Sequence, residues 1–231
     1  MLSNKSIEVP DNLIKLVKKI PLITAGIVCA NHSSTITSLR QAHDLNMVNP
    51  IFIGNKRLIL EEAEKINWNI STFKIINEIN DYESAVIGAK LAKENEIQVL
   101  IKGNLHTDTL MKAFLKKEFG LIGTKRLSHI WHMTINKYDK PLFITDGALN
   151  VLPRIDIKMH ILKNAIEFAE KIGINKPRVA VLSGTEDPID SMPSSIEAKE
   201  IMDKAVKEKI NAFVYGPLAF DNAISPIAAE I

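Results

Sequence analysis

The chain has 231 residues, 46% hydrophobic and 24% charged, enough for one large or two modest globular domains. Its 29 basic and 27 acidic residues leave a net charge of +2, which gives no electrostatic case for nucleic acid or an anionic membrane surface. The single cysteine, Cys29, excludes an intrachain disulfide framework, no cluster has zinc-ligand spacing, and a reducing cytoplasm fits.

Residues 1–10 mix charges and lead into no long apolar core, so they do not read as a signal peptide. The later apolar runs are strand-sized, well short of the roughly 20 residues a membrane helix needs. Leu13, Ile14, Val17 and Ile20 form a helical stripe that Pro21 ends. Residues 22–30 are a nearly continuous apolar run, as in a strand buried on both faces. Ser33 or Ser34 is the expected cap of the next helix, with Ile36, Leu39, Ala42 and Leu45 turned inward. The alternation then repeats: strands at 50–54, 73–76 and 98–102, helices at 56–66, 82–95 and 107–119. Short connectors between such pairs predict right-handed βαβ units and a mainly parallel sheet.

The rhythm breaks at Leu127. Residues 128–135 alternate loosely, a polar turn covers 136–140, and an apolar run covers 141–145, which together predict a hairpin or antiparallel edge. The domain change is expected just after it, giving a first α/β domain at 1–145 and a second at 146–231. A helix is expected over 155–172 with Gly173 as its stop, then a strand at 178–183 and a helix from Ser194 or Ser195 to Val206. A last buried strand, 212–215, is expected to end in a Gly216-Pro217 turn.

Three catalytic signatures are absent: a phosphate-binding Gly-rich loop with Lys-Ser/Thr, a Gly-x-Gly-x-x-Gly after the first strand, and a Gly-x-Ser-x-Gly elbow. Polar clusters do stand at strand ends, where open α/β sheets bind ligands. The first holds Lys102, Gly103, His106 and Thr107, with Lys112 a helical turn on; a helix start there suits an anion, and equally a plain cap. The second, Lys125-Arg126-Leu127-Ser128-His129, puts two cations before a strand, where they fit cofactor phosphates or a solvated turn. The third, residues 145–153, carries Asp146 and Asn150 in a small-residue loop that also fits an Asx turn. The fourth runs from Ser183 through Glu186 and Asp187 to Ser195. Asp221 and Asn222 come shortly after Pro217. Cys29 and His32 are close enough to suggest a thiol nucleophile, but a lone cysteine in an apolar strand reads first as packing, as do Trp68 and Trp131.

Together these clusters resemble the phosphate acetyl/butyryl transferase family. Lys102-Gly103 with His106-Thr107 and residues 110–112 resembles its Lys-Gly…Thr-Ala-Asp-Leu-Leu-Arg; residues 126–129 resemble its Arg-Leu-Ser-His. Residues 145–150 with Pro153 resemble its Thr-Asp-Ala-Ala-Ile-Asn-x-x-Pro, and residues 216–225 match its Gly-Pro-Leu-Ala-Phe-Asp-Asn-Ala-Ile-Ser. The lead-in, residues 24–54, resembles the form fused behind an enoyl-CoA hydratase domain, without the hydratase part.

The resemblance implies two α/β domains of the isocitrate/isopropylmalate dehydrogenase type with the active site in their cleft. It implies transfer of an acetyl or short-chain acyl group between CoA and inorganic phosphate, with no metal and no cofactor beyond the CoA thioester substrate. It further implies a cytoplasmic homodimer that binds neither nucleic acid nor membrane. Substrate contacts are carried over to Lys102, Gly103, His106, Thr107, Lys112, Arg126, Ser128, Asp146, Asn150, Ser183, Pro217, Asp221 and Asn222; no catalytic residue is assigned. Two departures accompany this. The family's C-terminal Ser-Arg pair and following Asp find no counterpart before Ile231, so a truncated chain is expected, with a non-catalytic CoA-binding remnant or split subunit as the alternative. Lys112 also stands where the family has an arginine, and an ammonium cannot fork onto a phosphate.

Overall fold

A computed structural model describes residues 8–135 and 140–230. The first seven residues and most of the expected 136–140 turn lie outside the described residues. Contacts divide the chain into two compact units: Asp11–Gly123, and one built on the chain from Thr124 onward.

The first unit runs α1 (Asp11–Val17), β1 (Ile23–Val28), α2 (Ser33–Asp44), β2 (Val48–Gly54), α3 (Lys56–Lys65), β3 (Ile75–Asn77), α4 (Asp81–Lys93), β4 (Val99–Lys102) and α5 (Thr107–Phe114). Its strands form one parallel sheet in the order β3-β2-β1-β4, as the alternation predicts. Both faces are covered, which is why β1 and β2 are apolar at successive positions. Ala25, Ile27 and Phe52 pack with Ile36 and Leu39 of α2 and Ile59 and Ala63 of α3. Val28, Ile51 and Ile53 pack on the other side with Ala85 and Leu91 of α4 and Leu110 and Ala113 of α5. Burying each large side chain is worth about 1.5–3 kcal/mol. Trp68 belongs to this packing too, its ring 6.0 Å from Phe52 and 5.7 Å from Phe73.

Two local expectations change. The cap of α2 is His32, not a serine: its backbone is extended (φ −140°, ψ 138°) and its Nδ1 accepts from the Ser34 N–H. An N-cap needs that non-helical backbone, and both serines are already inside the helix. The helix expected to reach residue 119 stops at Phe114; Lys116 is extended, and a separate 3-10 turn covers Lys117–Phe119.

The second unit begins with β5 (Ile130–Met133) and β6 (Leu142–Thr145), which pair antiparallel. Then come α6 (Ile155–Lys171), β7 (Arg178–Leu182), α7 (Pro193–Lys207), β8 (Phe213–Leu218) and the short α8 (Phe220–Ile224), with β7 and β8 parallel. Its core joins Met159, Leu162 and Ile166 of α6 to Ile201 and Ala205 of α7, with Val179, Val181 and Val214 against them. The sequence places the domain change after Thr145, whereas contacts place it at Gly123. The hairpin belongs to the second unit because Phe143 packs edge-on against Phe168 of α6, centroids 5.5 Å apart.

The end of β8 also differs from expectation. Gly216 and Pro217 are buried inside the strand and do not form a turn after it. The strand continues because Leu218 O accepts a hydrogen bond from the Ser183 N–H (2.8 Å), across a register shift between Ala180 and Leu182. Gly216 fits there for want of a side chain, since a Cβ would lie 2.7 Å from Val181 Cβ.

Candidate functional site

In the first unit the strand-to-helix loop after β4 is pressed against the end of β1. The Gly103 N–H donates to Val28 O and the Asn104 N–H to Cys29 O, both at 2.8 Å. A Cβ on Gly103 would lie 2.3 Å from Cys29 O and 2.6 Å from Val28 O, so only glycine allows this approach. Lys102 folds back over its own loop, its Nζ donating to Leu105 O (2.9 Å) and Gly103 O (3.3 Å). Two of its three donors thus brace backbone carbonyls. His106 is the N-cap of α5 with no side-chain capping bond, and it and Thr107 are exposed. Lys112 pairs with Asp108 at 3.5 Å on the helix surface.

Cys29 and His32 do not form a nucleophilic pair. The Cys29 thiol is buried and donates to Asp81 Oδ1 at 3.4 Å, while His32 Nδ1 faces Ser34. Burial and then the Asp81 charge push the thiol up to about 12, so it stays protonated near neutrality.

In the second unit the segment before β5 is anchored at four successive residues. Lys125 Nζ pairs with Glu167 at 2.5 Å. The Asn164 amide donates to Arg126 O (2.7 Å) and to Ser128 Oγ (2.9 Å). The Asn150 amide donates to Leu127 O at 2.9 Å and to Asp146 Oδ2 at 2.5 Å. Asp146 in turn accepts from the N–H groups of Leu149 (2.8 Å) and Ala148 (3.0 Å). Burial works against its charge, but the Leu149, Asn150 and Ala148 donors outweigh that and hold its carboxyl below the usual range. Of the two adjacent cations, Lys125 is therefore engaged, and Arg126 is exposed with no salt-bridge partner among the described residues.

The same unit carries the remaining candidates. Ser183 Oγ lies 2.9 Å from Ser194 Oγ. Glu186 Oε1 accepts from the Asn222 amide (2.6 Å) and from the Ala219 N–H (3.3 Å), so one carboxylate fixes both the start of α8 and the orientation of Asn222. With its Nδ2 turned to Glu186, Asn222 keeps its Oδ1 as an acceptor. Asp221 is exposed in the first turn of α8, and Pro217 is buried in β8.

Arg126, Ser128, Asp146 and Asn150 thus belong to one hydrogen-bonded group, Ser183 and Asn222 to the loop after β7 and to α8, which Glu186 joins, and Lys102, Gly103, His106 and Thr107 to the loop after β4 and the start of α5. Sequence reasoning misses Asn164, Glu167 and the anchoring use of Glu186. The only signal for the first two is a three-residue spacing on one helix, which says nothing of what they meet. Among the described residues no three or more His, Cys, Asp or Glu are grouped to hold a metal ion, and no helix is long and apolar enough to cross a membrane.

Comparison with known proteins adds to this geometry. A family model described as "Phosphate acetyl/butaryl transferase" matches residues 56–231. A phosphate acetyltransferase of Rickettsia felis is 37% identical over 212 residues, 91% of this chain and 60% of the relative. A phosphate butyryltransferase of Clostridium beijerinckii is 33% identical over 222 residues, 95% of this chain and 73% of the relative. The chain thus spans 60% of the length of the rickettsial relative. Among solved structures, a branched-chain phosphotransacylase of Enterococcus faecalis superposes with a TM-score of 0.75 at 28% identity, covering 90% of this chain and 72% of that one. A phosphotransacetylase of Streptococcus pyogenes, at 19% identity and a TM-score of 0.77 over 97% of this chain and 77% of that one, shares the fold.

Proposed function

The chain belongs to the phosphate acetyl/butyryl transferase family, and from that premise we propose that it moves an acetyl or short-chain acyl group between CoA and inorganic phosphate. The observation that carries this reading is the reach of the family match, residues 56–231, which takes in every polar cluster described above.

In this reading a phosphate oxygen attacks the thioester carbonyl carbon, the C–S bond breaks, and the CoA thiolate leaves with a proton. The products are acyl phosphate and CoA. Such a reaction needs the phosphate held near the carbonyl, donors for the developing oxyanion and a route for the thiol proton. It needs no resident metal or prosthetic group. Arg126 and the Ser128 hydroxyl are read as anion contacts. The loop of Gly103, His106 and Thr107, which opens α5, is read as a second anion contact braced by Lys102. Asn222 supplies an acceptor for a donor group of CoA, and Asp221 and Ser183 shape the neighbouring surface. Asp146 and Asn150 hold the loop that carries Arg126. Lys112, a turn further along α5 and paired with Asp108 on its exposed surface, is read as added positive charge beside that contact. The reading also includes a homodimer in the cytoplasm; exposed Leu182, Phe213 and Tyr215 on β7 and β8 supply apolar surface for self-association.

The test is release of CoA from acetyl-CoA and butyryl-CoA, followed with a thiol reagent, with and without phosphate. Phosphate-dependent release with either donor is expected. Folded protein that releases none would sink the proposal, and sedimentation of the same sample as a monomer would remove the homodimer.

A further inference from the structure

The segment of residues 125–128 is held by an arrangement that none of the sequence motifs contains. Two amides from different elements, Asn150 in the loop after β6 and Asn164 on α6, commit both Nδ2 hydrogens to acceptors. For Asn164 these acceptors are Arg126 O and Ser128 Oγ, so the amide orientation is fixed by chemistry: its own carbonyl oxygen cannot face the Arg126 carbonyl. Glu167, three residues further along α6, takes Lys125.

The consequence lies in what is left over. Ser128 Oγ accepts from Asn164, and its own O–H has no acceptor among the described residues, so it is free to donate. Arg126 has its carbonyl pinned while its guanidinium is uncommitted among the described residues. Lys125, the neighbouring cation, is paired with Glu167.

We propose that Asn164 is a positioning residue of the acyl-transfer site: it holds the Arg126 carbonyl and the Ser128 hydroxyl so that one guanidinium and one O–H donor are presented together to an anionic oxygen of the ligand. The proposal rests on the transfer reading for the identity of that ligand, a phosphate group of CoA. The clamp itself stands on the hydrogen bonds. Pre-set donors bind an anion more tightly than mobile ones because less side-chain and loop freedom is lost on binding. Asn164 touches no reacting atom; its effect runs entirely through residues 126 and 128.

That indirect action gives the test. CoA and inorganic pyrophosphate are titrated calorimetrically into wild type, Asn164→Leu, Asn164→Gln, the Arg126→Gln/Ser128→Ala double variant, and the triple variant that adds Asn164→Leu. Circular dichroism checks that each is folded. Asn164→Leu is expected to lose about tenfold in affinity, as for a hydrogen bond that orients a charged group, and Asn164→Gln, which keeps the amide, to recover part of it. In the double-variant background Asn164→Leu is expected to cost nothing further, because the residues it acts through are gone. Should Asn164→Leu fail to fold, Asn164→Ala, which also removes the amide, carries the same comparison in both backgrounds. An equal loss in both backgrounds, or wild-type affinity in Asn164→Leu, would overturn the proposal. So would a wild-type chain that binds neither CoA nor pyrophosphate. A chain that shows the expected cycle yet releases no CoA with phosphate supports the clamp and removes only the transfer reading.

Discussion

Replacing Gly103 with alanine tests whether the loop after β4 is held by close backbone contact. The new Cβ would stand 2.3 Å from Cys29 O, 2.6 Å from Val28 O and 2.7 Å from Cys29 C. All three are backbone atoms of β1 and its exit, so no side chain can rotate away to make room. Relief requires the loop to retreat, and the retreat stretches the Gly103–Val28 and Asn104–Cys29 hydrogen bonds, both now 2.8 Å. Overpacking of this kind costs about 1–3 kcal/mol. Two weakened backbone hydrogen bonds add about 1–2 kcal/mol. A total of about 3 kcal/mol, with a urea dependence of about 1–3 kcal/mol per molar, lowers the urea midpoint by roughly 1–3 M. The assay is urea unfolding followed by circular dichroism, with hydrogen exchange read at the amides of residues 103 and 104. Gly123→Ala is the control: among the described residues nothing lies within 4 Å of its added Cβ, and a change within about 0.5 kcal/mol is expected. Unchanged exchange at both amides, with a midpoint no lower than that of the control, would refute the close-contact account.

Three further residues give measurable outcomes. Cys29 should resist thiol reagents at pH 8 in the folded chain and react once urea unfolds it, as a buried thiol raised to about 12 requires. Because the folded thiol gives up its proton only at higher pH than the unfolded one, whose value is 9.0, its contribution to stability is constant below pH 9 and falls between about pH 9 and 12; urea midpoints across that range check this. Asp146→Asn should cost about 2 kcal/mol, because an amide replaces a carboxylate that accepts from Leu149, Ala148 and Asn150. Its carboxyl is lowered, so the stability it gives is present above the ordinary value of 3.8 and lost as pH falls through the folded one; the wild-type to Asp146→Asn difference should shrink in acid melts. Ser195→Ala should cost about 1–3 kcal/mol, since this fully buried hydroxyl accepts from the Ile189 N–H at 2.9 Å and donates to Met192 O at 2.8 Å; a thermal melt reads the loss.

Much of the first unit is legible because its strands are buried on both faces. Such a strand shows as an unbroken apolar run, and residues 22–30 and 50–54 could hardly be anything else between two amphipathic helices. Expectation fails where local chemistry competes. His32 displaces Ser33 and Ser34 as a cap because backbone conformation, not residue preference, decides which side chain reaches the free N–H groups. Pro217 reads as a turn because proline usually ends a strand, yet β8 continues through it to meet Ser183. The hairpin of β5 and β6 is recognisable, but its allegiance is not, since that depends on Phe143 meeting Phe168, distant in the chain and 5.5 Å away in space.

The sequence by itself determined the parallel α/β order, the family, and which strand ends carry polar residues. Periodicity and motif spacing are one-dimensional properties, and all three rest on them. Only the tertiary structure decided which of those residues are still available. It committed Lys125 to Glu167, folded Lys102 over its own loop, gave the Asn222 amide to Glu186, and, among the described residues, left the Arg126 guanidinium and the Ser128 hydroxyl proton uncommitted. Hydrogen-bond partners are chosen by distance and direction across the fold. A residue such as Asn164, with no motif around it, can therefore decide how the recognisable ones are presented.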